Sequence, residues 1–187
     1  MRELRRVFAY GSLMWNAGFG FADCRKATVR GFKRRFWNLS YDHRGTIEEP
    51  GLVVCAVETP DQNDQIEGLV LDLPFDDHKR ILDLLDVREK CGYIRKVTRA
   101  FEFGSHAEIG EVFIFCAYRD DPGISVFIRP KNGMDNTLDE LQRIASTIRS
   151  AEGSSGKNLD YLLQLYNTLV RLGLADEHVN ALFELCS

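Results

Sequence analysis

Leu52-Val53-Val54-Cys55-Ala56-Val57, opened by Pro50-Gly51, then Thr59-Pro60-Asp61-Gln62-Asn63, then Gln65 to Leu73, is the stretch on which the fold turns. The first run is too short for a stable helix, rich in β-branched residues and apolar throughout, which is the pattern of a buried strand. The middle segment concentrates turn formers, and the last run returns to strand character. Together they predict a hairpin. Upstream, Val7-Phe8-Ala9-Tyr10 is a second buried strand, halted by Gly11-Ser12, and Thr28 to Leu39 mixes β-branched, basic and aromatic residues as a third.

Downstream, Asp76 or Asp77 can cap a helix whose apolar stripe is Ile81, Leu82, Leu84 and Leu85, ending near Arg88 ahead of Gly92. Tyr93 to Phe103 then alternates as a strand, Gly104-Ser105-His106 turns, and Ile109 to Tyr118 is another strand. The last third is helical. Thr137-Leu138-Asp139-Glu140 has the capping-box spacing, for a helix reaching about Ala151. Asn158 can cap a second helix through Leu172 with Gly173 as terminator, and Asp176 can start a third. No linker, repeat or low-complexity segment interrupts the order. The reading is one α+β domain over residues 1–187.

The 187 residues can bury roughly 70% of the surface an unfolded chain exposes, so no disulfide or metal staple is required. Apolar residues at 44% and charged residues at 28% suit a soluble globule. With 24 Lys and Arg against 28 Asp and Glu, the formal charge is −4, and there is no chain-wide basic field for a nucleic-acid backbone. Cys24, Cys55, Cys91, Cys116 and Cys186 are an odd set without a CxxC pair, which predicts reduced, mostly buried thiols in the cytoplasm. The N-terminus lacks an apolar signal core, and no run has the length of a membrane span.

Few motifs carry chemistry from their residues alone. Tyr10-Gly11-Ser12-Leu13 closes a strand with a glycine, so its N–H groups can converge on an anion; equally, Gly-Ser is a generic turn. Gly153-Ser154-Ser155-Gly156-Lys157-Asn158 misses the phosphate-loop spacing, places Asn where Ser or Thr should stand and lies between helices, so it is a connector. Arg34 shares a strand face with Phe32 and Phe36, Lys33 and Arg35 share the other with Trp37, and whichever face is buried must hold a cation. The four His never stand at ligand spacing, and no metal site is expected. Glu89, in Arg88-Glu89-Lys90, reads as part of a solvated charge run at a helix-to-strand junction.

Taken as an ordered set, Tyr10-Gly11-Ser12-Leu13 with Trp15, Arg34-Arg35-Phe36-Trp37, His43-Arg44-Gly45, Pro50-Gly51 with Val53-Val54, Arg88-Glu89-Lys90-Cys91-Gly92-Tyr93, and Ser155-Gly156-Lys157-Asn158 with Tyr161-Leu162 resemble the ChaC-type, glutathione-specific γ-glutamylcyclotransferases. The resemblance implies a compact, mostly antiparallel β-barrel flanked by helices. It implies cleavage of glutathione, a small-molecule substrate, into 5-oxoproline and cysteinylglycine without metal or cofactor. No nucleic-acid, membrane or obligate protein partner is implied. Glu89 matches the family's catalytic carboxylate and the loop Tyr10, Gly11, Ser12, Leu13 its γ-glutamyl-binding loop. Arg44 matches a loop arginine suited to an anionic substrate, and Tyr93 is a candidate pocket residue. The reaction would need Arg88 and Lys90 to point away from Glu89. Two features depart from the family pattern. Cys91 replaces a glycine, and Gly123 to Asp135 is long and lacks the usual aromatic–Leu–Gly–Pro pattern, which bears on strictness for glutathione. The alternatives are cyclotransfer on another γ-glutamyl amine or dipeptide, and a catalytically silent binding module on the same fold.

Overall fold

The computed structural model describes residues 3–89, 92–117 and 135–187. Its elements are β1 (Arg6–Ala9), a 3-10 turn (Ser12–Met14), β2 (Asp23–Arg30), β3 (Phe32–Ser40), β4 (Gly51–Glu58), β5 (Gln65–Asp72), α1 (His78–Arg88), β6 (Tyr93–Glu102), β7 (Glu108–Ala117), α2 (Leu138–Ser150), β8 (Glu152–Gly153), β9 (Gly156–Lys157), α3 (Asn158–Leu172) and α4 (Glu177–Cys186). The chain divides into two compact units, one of residues 1–33 and 56–119, the other of residues 34–55 and 120–187.

The first unit is a closed five-stranded barrel in the order β1-β5-β2-β6-β7. Four of its pairings are antiparallel and β1 closes it on β7 in parallel, so the barrel is mostly antiparallel, as the resemblance implies. Val7, Phe8 and Ala9 of β1 are all buried, as are Ile66, Leu69, Val70 and Leu71 of β5. Gly68 lets these strands meet: a Cβ there would stand 2.3 Å from the Ala9 carbonyl oxygen. On this barrel α1 lays Ile81, Leu82 and Leu85 against Val7, Leu73 and Phe115. Leu84 is 49% exposed, against the predicted stripe. At about 100° per residue it falls well outside the arc shared by the other three.

The hairpin expected from residues 52–73 does not form. β4 pairs with β3 in a separate two-stranded sheet, whereas β5 pairs with β1 and β2. The chain bends at two adjacent places instead. Gly31, with φ of +75°, ends β2 and donates its N–H to the Asp64 carbonyl at 2.7 Å, and Thr59 donates to the Gly31 carbonyl at 2.8 Å. The turn residues at 59–63 therefore separate β4 from β5, which belong to different sheets, instead of folding one onto the other.

The second unit gathers α2, α3 and α4 around Leu141, Ile144, Ile148, Leu162, Leu165, Val179 and Leu182, all buried. Phe36 of β3 meets the Tyr161 ring edge-on at 5.9 Å. The buried strand face, that of Phe32 and Phe36, does hold a cation, Arg34, and Arg35 on the opposite face is buried as well. Arg34, 1% exposed, pairs with Asp176 at 2.8 Å, and Arg35 grips Asp135 through two bonds of 2.6 Å. Asp176 also caps α4 through the Val179 N–H, as the sequence predicts. His178 accepts from the Phe36 N–H through Nε2 at 3.1 Å, and burial lowers its pKa to about 3, so it is neutral.

Two predicted caps resolve differently. Thr137 accepts from the Glu140 N–H, but the Glu140 carboxylate turns to the Trp37 indole N–H (2.8 Å) and the Asn136 N–H (2.7 Å) rather than closing the box. Asn158 caps nothing. Its amide bonds the Leu52 N–H (2.6 Å) and carbonyl (2.7 Å), standing in for a strand partner, while Lys157 takes the cap position. Gly173 terminates α3 at φ of +65° as expected. Among the described cysteines Cys55 and Cys116 are buried, Cys186 is half-buried and Cys24 is exposed, so burial is less general than the sequence suggests; Cys91 lies outside the described residues. No described helix is long and apolar enough to cross a membrane.

Candidate active site

β1 delivers Tyr10 to the barrel's end, where its hydroxyl donates to the Phe115 carbonyl of β7 at 2.6 Å. That bond fixes the start of the following loop. Gly11 then adopts φ −129° and ψ −137°, and the chain tightens into the 3-10 turn, closed by Met14 N–H to the Gly11 carbonyl at 2.9 Å. Ser12 and Leu13 are the first residues of that turn, so their N–H groups have no acceptor within it. The Leu13 side chain packs on the α1 core beside Phe19, Tyr93 and Phe113. Core packing thus holds the loop by its side chain, not by the Ser12 and Leu13 N–H groups, which the turn itself does not use.

Glu89 is the residue immediately after α1, held by its N–H to the Leu85 carbonyl at 2.8 Å. Its side chain is 18% exposed, and burial pushes its pKa above the ordinary value of 4.5, opposed by the charge of Arg88. A carboxyl group that is desolvated but still reachable suits proton transfer.

Arg88 corrects an expectation. It does not point away. Its Nε lies 3.6 Å from the Glu89 carboxylate, its Nη2 donates to Ser12 Oγ at 3.0 Å, and its Nη1 donates to the carbonyls of Asn16 (3.1 Å) and Ala17 (2.9 Å). One guanidinium therefore separates Glu89 from the loop after β1. The sequence motif contains Arg88, but the return of residues 12–17 to the end of α1, which gives it a task, is a tertiary fact.

Of the anticipated residues, Tyr10, Gly11, Ser12, Leu13, Glu89 and Tyr93 come together in the barrel unit. Tyr93 opens β6 and packs against the α1 core. Arg44 belongs to the second unit, where it donates to the Lys157 carbonyl at 3.1 Å and lies over the Tyr161 ring at 5.7 Å. Beside it, the residues read as a connector form the β8–β9 hairpin, locked to the 42–45 loop by Ser154 N–H to Asp42 (2.8 Å) and Ser155 N–H to His43 (3.0 Å). Lys90, Cys91 and residues 123–134 lie outside the described residues. Among the described residues no cluster of His, Cys, Asp or Glu could hold a metal ion.

A family model described as ChaC-like protein matches residues 5–187. The chain is 30% identical over 161 residues to "Glutathione-specific gamma-glutamylcyclotransferase 1" of Danio rerio, covering 85% of this chain and 76% of that protein. It is 33% identical over 180 residues to "Gamma-glutamylcyclotransferase 2-3" of Arabidopsis thaliana, covering 94% and 85%. Among solved structures, a yeast γ-glutamyl cyclotransferase specific to glutathione superposes with a TM-score of 0.83 at 21% identity, over 97% of this chain and 94% of that one, a likeness of fold.

Proposed function

The chain belongs to the ChaC-like family, and from that premise we propose that it is a lyase-type cyclotransferase that cleaves glutathione into 5-oxoproline and cysteinylglycine. The substrate brings its own nucleophile. Its α-amine attacks its own γ-carbonyl carbon, a C–N bond forms, the amide C–N bond to cysteine breaks, and a five-membered lactam leaves. Holding the γ-glutamyl arm bent in a near-attack geometry supplies much of the acceleration as effective molarity. What remains is proton transfer, and neither a metal nor a cofactor is required for it.

Glu89 performs that transfer. As carboxylate it takes a proton from the α-ammonium before attack, and as carboxylic acid it gives that proton to the departing cysteinyl nitrogen. The ring nitrogen sheds its second proton as the lactam forms, the released amine takes one up to become an ammonium, and Glu89 ends each cycle as the carboxylate it began. The elevated pKa serves both steps: the base is stronger than an ordinary carboxylate, and the acid remains a competent donor. The N–H groups of Ser12 and Leu13, with the Gly11 backbone, hold the substrate's α-carboxylate or the oxyanion of the tetrahedral intermediate. Tyr10 fixes that loop and Tyr93 supports the wall behind it. The observation that carries this reading is the half-sheltered Glu89 carboxylate standing one guanidinium from the loop after β1.

Glu89→Gln keeps the side chain's shape and removes the base. The expected result is a loss of at least about 10²-fold in 5-oxoproline release with the fold retained; activity within a few-fold of wild type overturns the assignment. Offered side by side with γ-glutamyl-alanine and γ-glutamyl-lysine, glutathione is expected to be turned over preferentially.

The role of Arg44 toward an anionic substrate rests on the resemblance alone. Arg44→Lys is expected to raise KM several-fold with an unchanged melting temperature; a lower melting temperature with unchanged KM leaves Arg44 only its contacts with Lys157 and Tyr161. The four described cysteines are all free, which fits a reducing cytoplasm where glutathione is abundant.

A further inference from the structure

We propose that Arg88 is a positioning residue: its guanidinium fastens the end of α1 to the loop after β1 and so sets the separation between Glu89 and the N–H groups of Ser12 and Leu13. The inference rests on the reading of Glu89 given above and adds a residue to it.

Four contacts converge on this side chain. Three are donated hydrogen bonds, to Ser12 Oγ and to the carbonyls of Asn16 and Ala17, and the fourth is the 3.6 Å approach of Nε to the Glu89 carboxylate. A planar fork can serve such a divided set of acceptors; an ammonium, as a point charge, cannot. The loop is shaped to receive it. Gly18, at φ of +75°, turns the chain just beyond the two carbonyls, and a Cβ there would lie 3.6 Å from Arg88 Nη1, in ordinary contact. The Arg88 side chain is 35% exposed and its three bonds stand at the surface, so they hold the loop by number and geometry, not by exclusion of water. Tyr10 ties the loop at its start and Leu13 at its middle; Arg88 bonds its exit at Asn16 and Ala17.

Residues 10–17 carry no charged side chain, and Arg95 on β6 is engaged by Asp86 at 3.2 Å. Among the described residues Arg88 is therefore the cation acting on Glu89, and it draws the carboxyl pKa down against burial. Position and charge can be separated by substitution. Arg88→Gln removes both; Arg88→Lys keeps the charge and loses the fork.

The test combines amide hydrogen exchange over residues 12–17 with a carbon-13 NMR titration of the Glu89 carboxyl, identified by its disappearance in Glu89→Gln. Neither readout needs turnover, so they remain decisive if glutathione proves not to be the substrate. In Arg88→Gln, exchange at Met14, Trp15 and Asn16 is expected to quicken about tenfold or more and Glu89 to titrate at higher pH. In Arg88→Lys the titration returns toward wild type while exchange stays fast. With glutathione, KM is expected to rise about tenfold in both variants, the loss of one charged hydrogen bond's worth of fixation. Wild-type exchange across residues 12–17 in Arg88→Gln overturns the proposal, as does full restoration of slow exchange by lysine. If Arg88→Gln does not fold, Arg88→Lys decides by the same criterion: fast exchange supports the fork, wild-type exchange refutes it.

Discussion

At the scale of residues, Glu89 shows how a site can oppose stability. Its carboxyl pKa is raised in the folded protein, so between the unfolded and folded values the native state binds more protons than the unfolded chain. The contribution of Glu89 to stability is then greatest below pH 4.5, falls as pH rises through the folded pKa, and stays lower at neutral pH. Glu89→Gln removes that cost. Its melting temperature is expected to exceed wild type at pH 7.5, with the gap closing below about pH 4.5; a calorimetric pH series that shows the variant less stable at neutral pH contradicts the burial argument. The same shift places the acid limb of kcat/KM above 4.5, with activity lost as pH falls because the base becomes protonated. The sequence alone reads Glu89 as one charge among three. Desolvation is invisible in a charge run, since it depends on what packs around the end of α1.

Elements are stabilised by side chains whose partners lie far along the chain. Asn158 is the clearest case. At a helix start it invites reading as a cap, yet it bonds both polar groups of Leu52, 106 residues away. Asn158→Ala would leave a buried N–H and a buried carbonyl unpaired, and the expected loss is about 2–4 kcal/mol in denaturant unfolding. A loss like that of an ordinary cap, about 1 kcal/mol, would restore the cap reading. Gly173 and Asp176 did reveal their roles in sequence, because a left-handed terminator and an aspartate N-cap act within a few residues. The capping box at Thr137 was half legible for the same reason: the hydroxyl's partner is local, whereas the Glu140 carboxylate was claimed by Trp37.

Over the whole molecule, strand content followed from the apolar runs, but pairing did not. Thr59 to Asn63 has the chemistry of a turn whether two strands fold together or part into different sheets, and only the bonds between Gly31 and residues 59 and 64 decide. The parallel closure of β1 on β7 likewise joins ends separated by some hundred residues. Residue-by-residue reading reached the α+β class; the barrel came from the ordered motif set. The site divides in the same manner: Tyr10 to Leu13 and Glu89 were marked by motif, while Arg88 was assigned the wrong direction because its acceptors are brought by the loop's return.

The central claim is that the substrate's own amine, not water, attacks the γ-carbonyl. Incubating the protein with glutathione in oxygen-18 water and following products by mass spectrometry tests it directly. The expected result is 5-oxoproline without the label, in equal amount with cysteinylglycine, and its abolition in Glu89→Gln. Glutamate carrying one oxygen-18, or no release of cysteinylglycine at all, would contradict it.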